Sequence, residues 1–103
     1  MTTAQRETFA KKYLQAEAKT NPVFGGLFKK QRARFEEIAA KLIAEAETAG
    51  PLKSKTARKA FVADFLDREA NVQGGTIWVQ LIFAVLLPIL QSLFEDWFQK
   101  EAA

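Results

Sequence analysis

Few residues of this 103-residue chain carry groups that could do chemistry. Cysteine and histidine are both absent. That excludes disulfides, thiolate or imidazole metal sites, cysteine nucleophiles and histidine general bases. Carboxylates and serines remain. Asp64 and Asp67 are three residues apart, which on a helix puts both on one face, and paired carboxylates can do acid/base work. Nothing else converges on them, so a solvated helix face is the simpler reading. Ser54 and Ser92 have no base to activate them. Gly25–Lys30 (GGLFKK) superficially suggests a phosphate loop but lacks the preceding strand and the spacing. No DxDxDG-type calcium loop occurs. The chain is therefore expected not to be an enzyme and to hold no cofactor or metal.

The chemistry that does stand out is charge. Lys29, Lys30, Arg32 and Arg34 form one basic cluster; Lys53, Lys55, Arg58 and Lys59 form a second. Both fall near the expected N-termini of helices, where the macrodipole disfavours cations. Their placement there points to an anionic partner: phospholipid headgroups, nucleic acid or an acidic protein face. Acidic residues follow each cluster (Glu36 and Glu37; Asp64 and Asp67), so i,i+4 pairing absorbs part of the charge. Residues 1–75 hold 14 basic and nine acidic residues, while residues 76–103 hold one basic and three acidic. Sequence-specific DNA reading is disfavoured. The Ala49–Ser54 connection is longer than a helix-turn-helix turn, and no Asn, Gln or Arg array marks a recognition face.

The elements that must position these residues are helices. Ala is abundant and no alternating run favours strands. The first helix spans about residues 3–19, with a stripe of Phe9, Ala10, Tyr13 and Leu14, and Asn21-Pro22 stops it. Val23–Phe28 (VFGGLF) reads either as a turn of helix or as a loop. The second helix runs from about 27 to 48, with Phe35, Ile38, Ala39, Leu42, Ile43 and Ala46 on one face. Gly50-Pro51 ends it. A third spans about 54–70, with Ser54 as N-cap and Ala57, Phe61, Val62, Phe65 and Leu66 inward. The fold class is all-α: three short amphipathic helices over residues 1–73, a Gly74-Gly75 hinge, then one long hydrophobic helix within 76–103. The fourth helix is expected to leave the first three at that hinge.

Ile77–Phe94 contains no charge and twelve Leu, Ile, Val and Phe residues. From Ile77 to Leu87 only Gln80 is polar, so the helix is apolar almost all round and needs burial on every side. Three short helices can cover about half of it, which leaves the rest to a bilayer or a partner. Its 18 residues span about 27 Å, near the ~30 Å hydrocarbon thickness. Trp78 and Trp97 sit at headgroup spacing, about 28 Å apart. The apolar residues favour insertion by roughly 4–7 kcal/mol. Pro88 is tolerable in a membrane helix, and Gln80 and Gln91 would face a neighbouring helix. The expected membrane- or partner-contacting residues are Ile77, Trp78, Leu81, Ile82, Phe83, Val85, Leu86, Leu87, Ile89, Leu90, Leu93, Phe94, Trp97 and Phe98.

In general layout the chain resembles small accessory proteins of membrane-bearing viruses and phages, as well as holins and small secretion or envelope subunits. The resemblance rests on no motif, and no functional residue follows from it. The polar N-terminus is expected not to act as a cleaved signal. The reading is a non-enzymatic scaffold protein, assembled in many copies and membrane-associated through its last helix, with its basic part on the cytoplasmic side or in a virion. Two alternatives stand beside it: a soluble helical module forming an obligate oligomer through that helix, and a nucleic-acid packaging protein.

Overall fold

The computed structural model describes residues 2–102, the last two through their backbone alone. It contains four helices: α1 (Thr3–Thr20), α2 (Pro22–Thr48), α3 (Lys55–Val72) and α4 (Ile77–Ala102). Each start is set by a side chain that satisfies an otherwise unpaired amide. Thr2 and Gln5 form a capping box on α1, with the Gln5 N–H donating to Thr2 Oγ1 at 3.1 Å and the Thr2 N–H donating to Gln5 Oε1 at 2.8 Å. Asn21 ends α1 and caps α2, its Oδ1 accepting from the Phe24 N–H at 3.1 Å, and Pro22 is the first helical residue. Ser54 caps α3 through the Ala57 N–H at 3.0 Å, and Thr76 caps α4 through the Val79 N–H at 3.3 Å.

VFGGLF proves to be helix, so α2 begins at Pro22, five residues earlier than the periodicity suggests. The reason lies in α1. A Cβ at Gly25 would sit 2.6 Å from the Ala18 carbonyl oxygen, so only glycine lets the two helices meet there. The helix bends at Gln31 (φ −136°, ψ 38°). That bend folds Phe24 and Phe28 against Phe35, with ring centroids 5.4–6.4 Å apart.

Successive helices run antiparallel. Arg6 of α1 pairs with Glu47 near the end of α2. Lys41 and Glu45 of α2 pair with Glu69 and Arg68 of α3, and Phe61 of α3 stacks on Phe94 of α4. All four contribute to one core, in which Leu14, Phe24, Phe35, Leu42, Ile43, Val62, Phe65, Leu86, Leu90, Leu93 and Phe94 are fully buried. The radius of gyration is 13.1 Å, as a compact chain of this length requires.

The expectation that the fourth helix leaves the first three at the glycine pair is not met. Gly74 (φ 98°) and Gly75 (φ 61°) occupy the left-handed region. The Gly75 N–H returns to the Ala70 carbonyl at 2.9 Å, closing the end of α3. This makes a tight corner that turns α4 back along α3. Burial of α4 against all three other helices then holds it there.

Candidate functional site

Among the described residues one stretch of helix, Ile77–Lys100, is long and apolar enough to cross a membrane, and 33% of its most apolar part is buried. The fourteen residues singled out from the sequence divide accordingly. Phe83, Leu86, Ile89, Leu90, Leu93, Phe94 and Trp97 fill the protein's own core. Ile82, Val85, Leu87 and Phe98 are half-buried against it. Ile77 (76% exposed), Trp78 (73%) and Leu81 (55%) face outward.

Those three begin a continuous outer face. Ile77, Leu81, Ala84 and Pro88 follow steps of four, three and four residues, which share one side of a helix. All are exposed, as are Ser92, Asp96 and Gln99 further along the same side. The outward stripe of α4 is thus apolar as far as Pro88 and polar beyond it. Val72, 78% exposed just before the corner, extends the apolar end. The sequence does not single it out, because it lies outside the long hydrophobic run. The available signal is an apolar residue standing where the third helix meets turn residues. Beside the stripe, a groove of about 260 Å³ runs between α3 and α4, lined by Ala63, Leu66, Ala70, Phe83, Ala84 and Leu87 with Asp67 and Gln80.

The two glutamines differ in their partners. Gln91 reaches a neighbouring helix, its amide donating to the Lys59 carbonyl of α3 at 3.3 Å. Gln80 bonds locally, to the Gly75 carbonyl at 3.2 Å, and so braces the corner.

The bundle sends the two basic clusters to opposite ends. Arg34 shares a cleft with Gln73, the residue before Gly74, which places the first cluster at the α3–α4 corner. Lys29, Lys30, Arg32 and Arg34 are all exposed on the outer surface of α2. Arg32 pairs with Glu36 at 3.0 Å and lies over the Phe28 ring, and Arg34 reaches Gln31 at 3.4 Å. Lys55 and Lys59 of the second cluster line an open groove of about 580 Å³ with Tyr13, Gln91, Ser92, Glu95 and Asp96. Lys53 is exposed beside them. Burial pushes the Tyr13 phenol up.

Arg58 requires a correction. The sequence groups it with the outward cations, but it is only 7% exposed. Its guanidinium donates to both oxygens of Glu95 at 2.7–3.1 Å and to the Leu52 carbonyl at 2.9 Å. It also lies 4.1 Å from the centre of the Phe98 ring. Such a forked, stacked pair belongs to the fold. The Arg58 hydrogen bond lowers the Glu95 carboxyl from its ordinary value, and the same bond raises Arg58.

No group of three or more acidic side chains able to hold a metal ion occurs among the described residues. Asp64 and Asp67 are both exposed, with no third acidic side chain beside them. No family model matches the chain, and no curated protein or solved structure matches it either.

Proposed function

We propose that this chain is a non-enzymatic structural protein that attaches to a membrane by the outer face of the first half of α4. One observation carries the reading: the outward stripe Ile77, Trp78, Leu81 and Ala84 is apolar up to Pro88, whereas the same stripe is polar from Ser92 onward. A helix that only closed its own bundle would be polar along its whole outer side. Tryptophan at the free end suits an interface where one side is apolar and the other wet.

Attachment with the bundle intact is favoured over spanning. Drawing α4 into a bilayer keeps its own side chains from water but strips the core it shares with Leu14, Phe24, Phe35, Leu42 and Phe65. Each such side chain contributes about 1.5–3 kcal/mol when buried. Together they match or exceed the roughly 4–7 kcal/mol that insertion offers. In this reading the helical body stays on the cytoplasmic side, or within a virion, and many copies act by holding a membrane against a protein layer.

The test is flotation of the full chain with lipid vesicles. Wild type should float with the vesicles, and Leu81→Asp should stay in the dense fraction while keeping its helical circular dichroism. A wild type that never floats, or a variant that floats equally well, contradicts the proposal. Association of the chain through this face without lipid would favour the soluble oligomer.

A further inference from the structure

Resting on that membrane reading, we infer that the docking surface is selective for anionic phospholipid and that only the first basic cluster supplies the selectivity. The apolar patch of Val72, Ile77, Trp78 and Leu81 stands at the corner where α3 turns into α4. Arg34 shares a cleft with Gln73, four residues before Ile77, which is at most about 14 Å of chain. Lys29, Lys30 and Arg32 lie beyond Arg34 toward the N-terminal end of α2. After its bend at Gln31 that helix runs antiparallel to α3, so its Arg34 end is the one at the corner, and Lys29 and Lys30 lie just across the bend. Apolar side chains can therefore enter the headgroup layer while the four cations reach phosphates beside them. Among the described residues neither Lys29 nor Lys30 has an ion pair, so their charges are available outward.

The second cluster cannot share this surface. It lies beside Glu95, eighteen residues along α4 from Ile77. That is about 27 Å of helix, roughly three screening lengths in physiological salt. There Arg58 is neutralised by Glu95, and Lys55 and Lys59 face Glu95 and Asp96 across the groove. Both clusters read alike as sequence; only one is at the apolar end. Pro88 marks the depth of entry, since the outer face beyond it is polar.

The experiment measures partitioning of the full chain onto neutral phosphatidylcholine vesicles and onto the same vesicles with phosphatidylserine. Two charge variants accompany wild type: the quadruple Lys29→Gln, Lys30→Gln, Arg32→Gln, Arg34→Gln, and the triple Lys53→Gln, Lys55→Gln, Lys59→Gln. Ion pairs at exposed positions such as these stabilise little, so circular dichroism should be unchanged in both. A cation near an anionic leaflet is worth about fivefold in partitioning. The quadruple variant should thus lose a hundredfold or more on anionic vesicles, and the triple less than about fivefold. Salt at about 0.5 M should release wild type from anionic vesicles. Equal binding of wild type to neutral and anionic vesicles, or equal losses in the two variants, overturns this inference and leaves the membrane reading standing. Binding to neither vesicle overturns both. Tighter retention on DNA than on anionic vesicles, through the same four residues, assigns the surface to nucleic acid instead.

Discussion

Residues 77–88 and 89–100 belong to one continuous helix, yet they treat the same outward side in opposite ways. After Pro88, Leu90, Leu93, Phe94 and Trp97 point into the core, and Ser92, Asp96 and Gln99 point out. That division is all a helix needs to close a water-soluble bundle. Before Pro88, Phe83 and Leu86 serve the core equally well, but Ile77, Trp78 and Leu81 stand exposed on the other side. The bundle gains little from them. Their chemistry has to be explained by something outside the chain, which is why the first half of α4 is the functional candidate and the second half is scaffold.

The comparison predicts that substitutions in the two halves separate stability from binding. The largest effect belongs to the second half. Phe94 is fully buried and stacked between Phe61 and Trp97. Phe94→Ala should cost about 3–5 kcal/mol, a large share of the ~5–15 kcal/mol available to a small domain. Urea unfolding followed by circular dichroism measures it. A loss below about 1 kcal/mol would mean that α4 is not held in the bundle.

An intermediate effect, again in the second half, depends on pH. Arg58 holds the Glu95 carboxyl below its ordinary value of 4.5. The unfolded chain therefore takes up this proton first as pH falls. The pair's contribution is complete above the unfolded value and is lost as pH drops through the folded one. The melting temperature of wild type should fall more steeply between about pH 5 and pH 3 than that of Glu95→Gln. Equal slopes would show that the pair does not couple folding to protons.

The smallest effect on stability belongs to the first half. Trp78→Ser with Leu81→Ser removes two exposed side chains and should shift unfolding by less than about 0.5 kcal/mol per site. The same variant should lose vesicle binding. Destabilisation as large as that of Phe94→Ala would place these side chains in the fold and end the distinction between the halves.

Much of this architecture is legible in the sequence. Helix starts follow from Ser54 and Thr76, and the all-round apolarity of Ile77–Leu87 marks the last helix for burial that the chain alone does not complete. Three features are not legible. Gly25 looks like a helix breaker until Ala18 is known to lie against it, a contact between helices that no local pattern records. Gly74-Gly75 reads as a hinge in the sequence, and only the packing of α4 against the other helices shows it to be a tight corner. Arg58 finds Glu95 thirty-seven residues away, so its cluster looks uniformly outward in the sequence. The candidate surface itself is half visible: Ile77, Trp78 and Leu81 stand within a set of fourteen, but which of the fourteen remain exposed depends on the bundle.

The two tryptophans allow the central claim to be tested directly. Trp97 is 6% exposed and its indole N–H has no hydrogen-bond partner among the described residues. Trp97→Phe discards that buried donor, so the lost volume is partly offset and the fold should survive. Trp78 is then the sole indole, at the exposed end of α4. Its fluorescence, recorded with vesicles carrying brominated lipid, reports whether this side chain enters the bilayer. The account predicts red-shifted emission in buffer, and a blue shift with strong quenching on anionic vesicles carrying bromine near the headgroups. Emission that stays red-shifted and unquenched while the protein is vesicle-bound would contradict it, because the membrane would then be held by some other face.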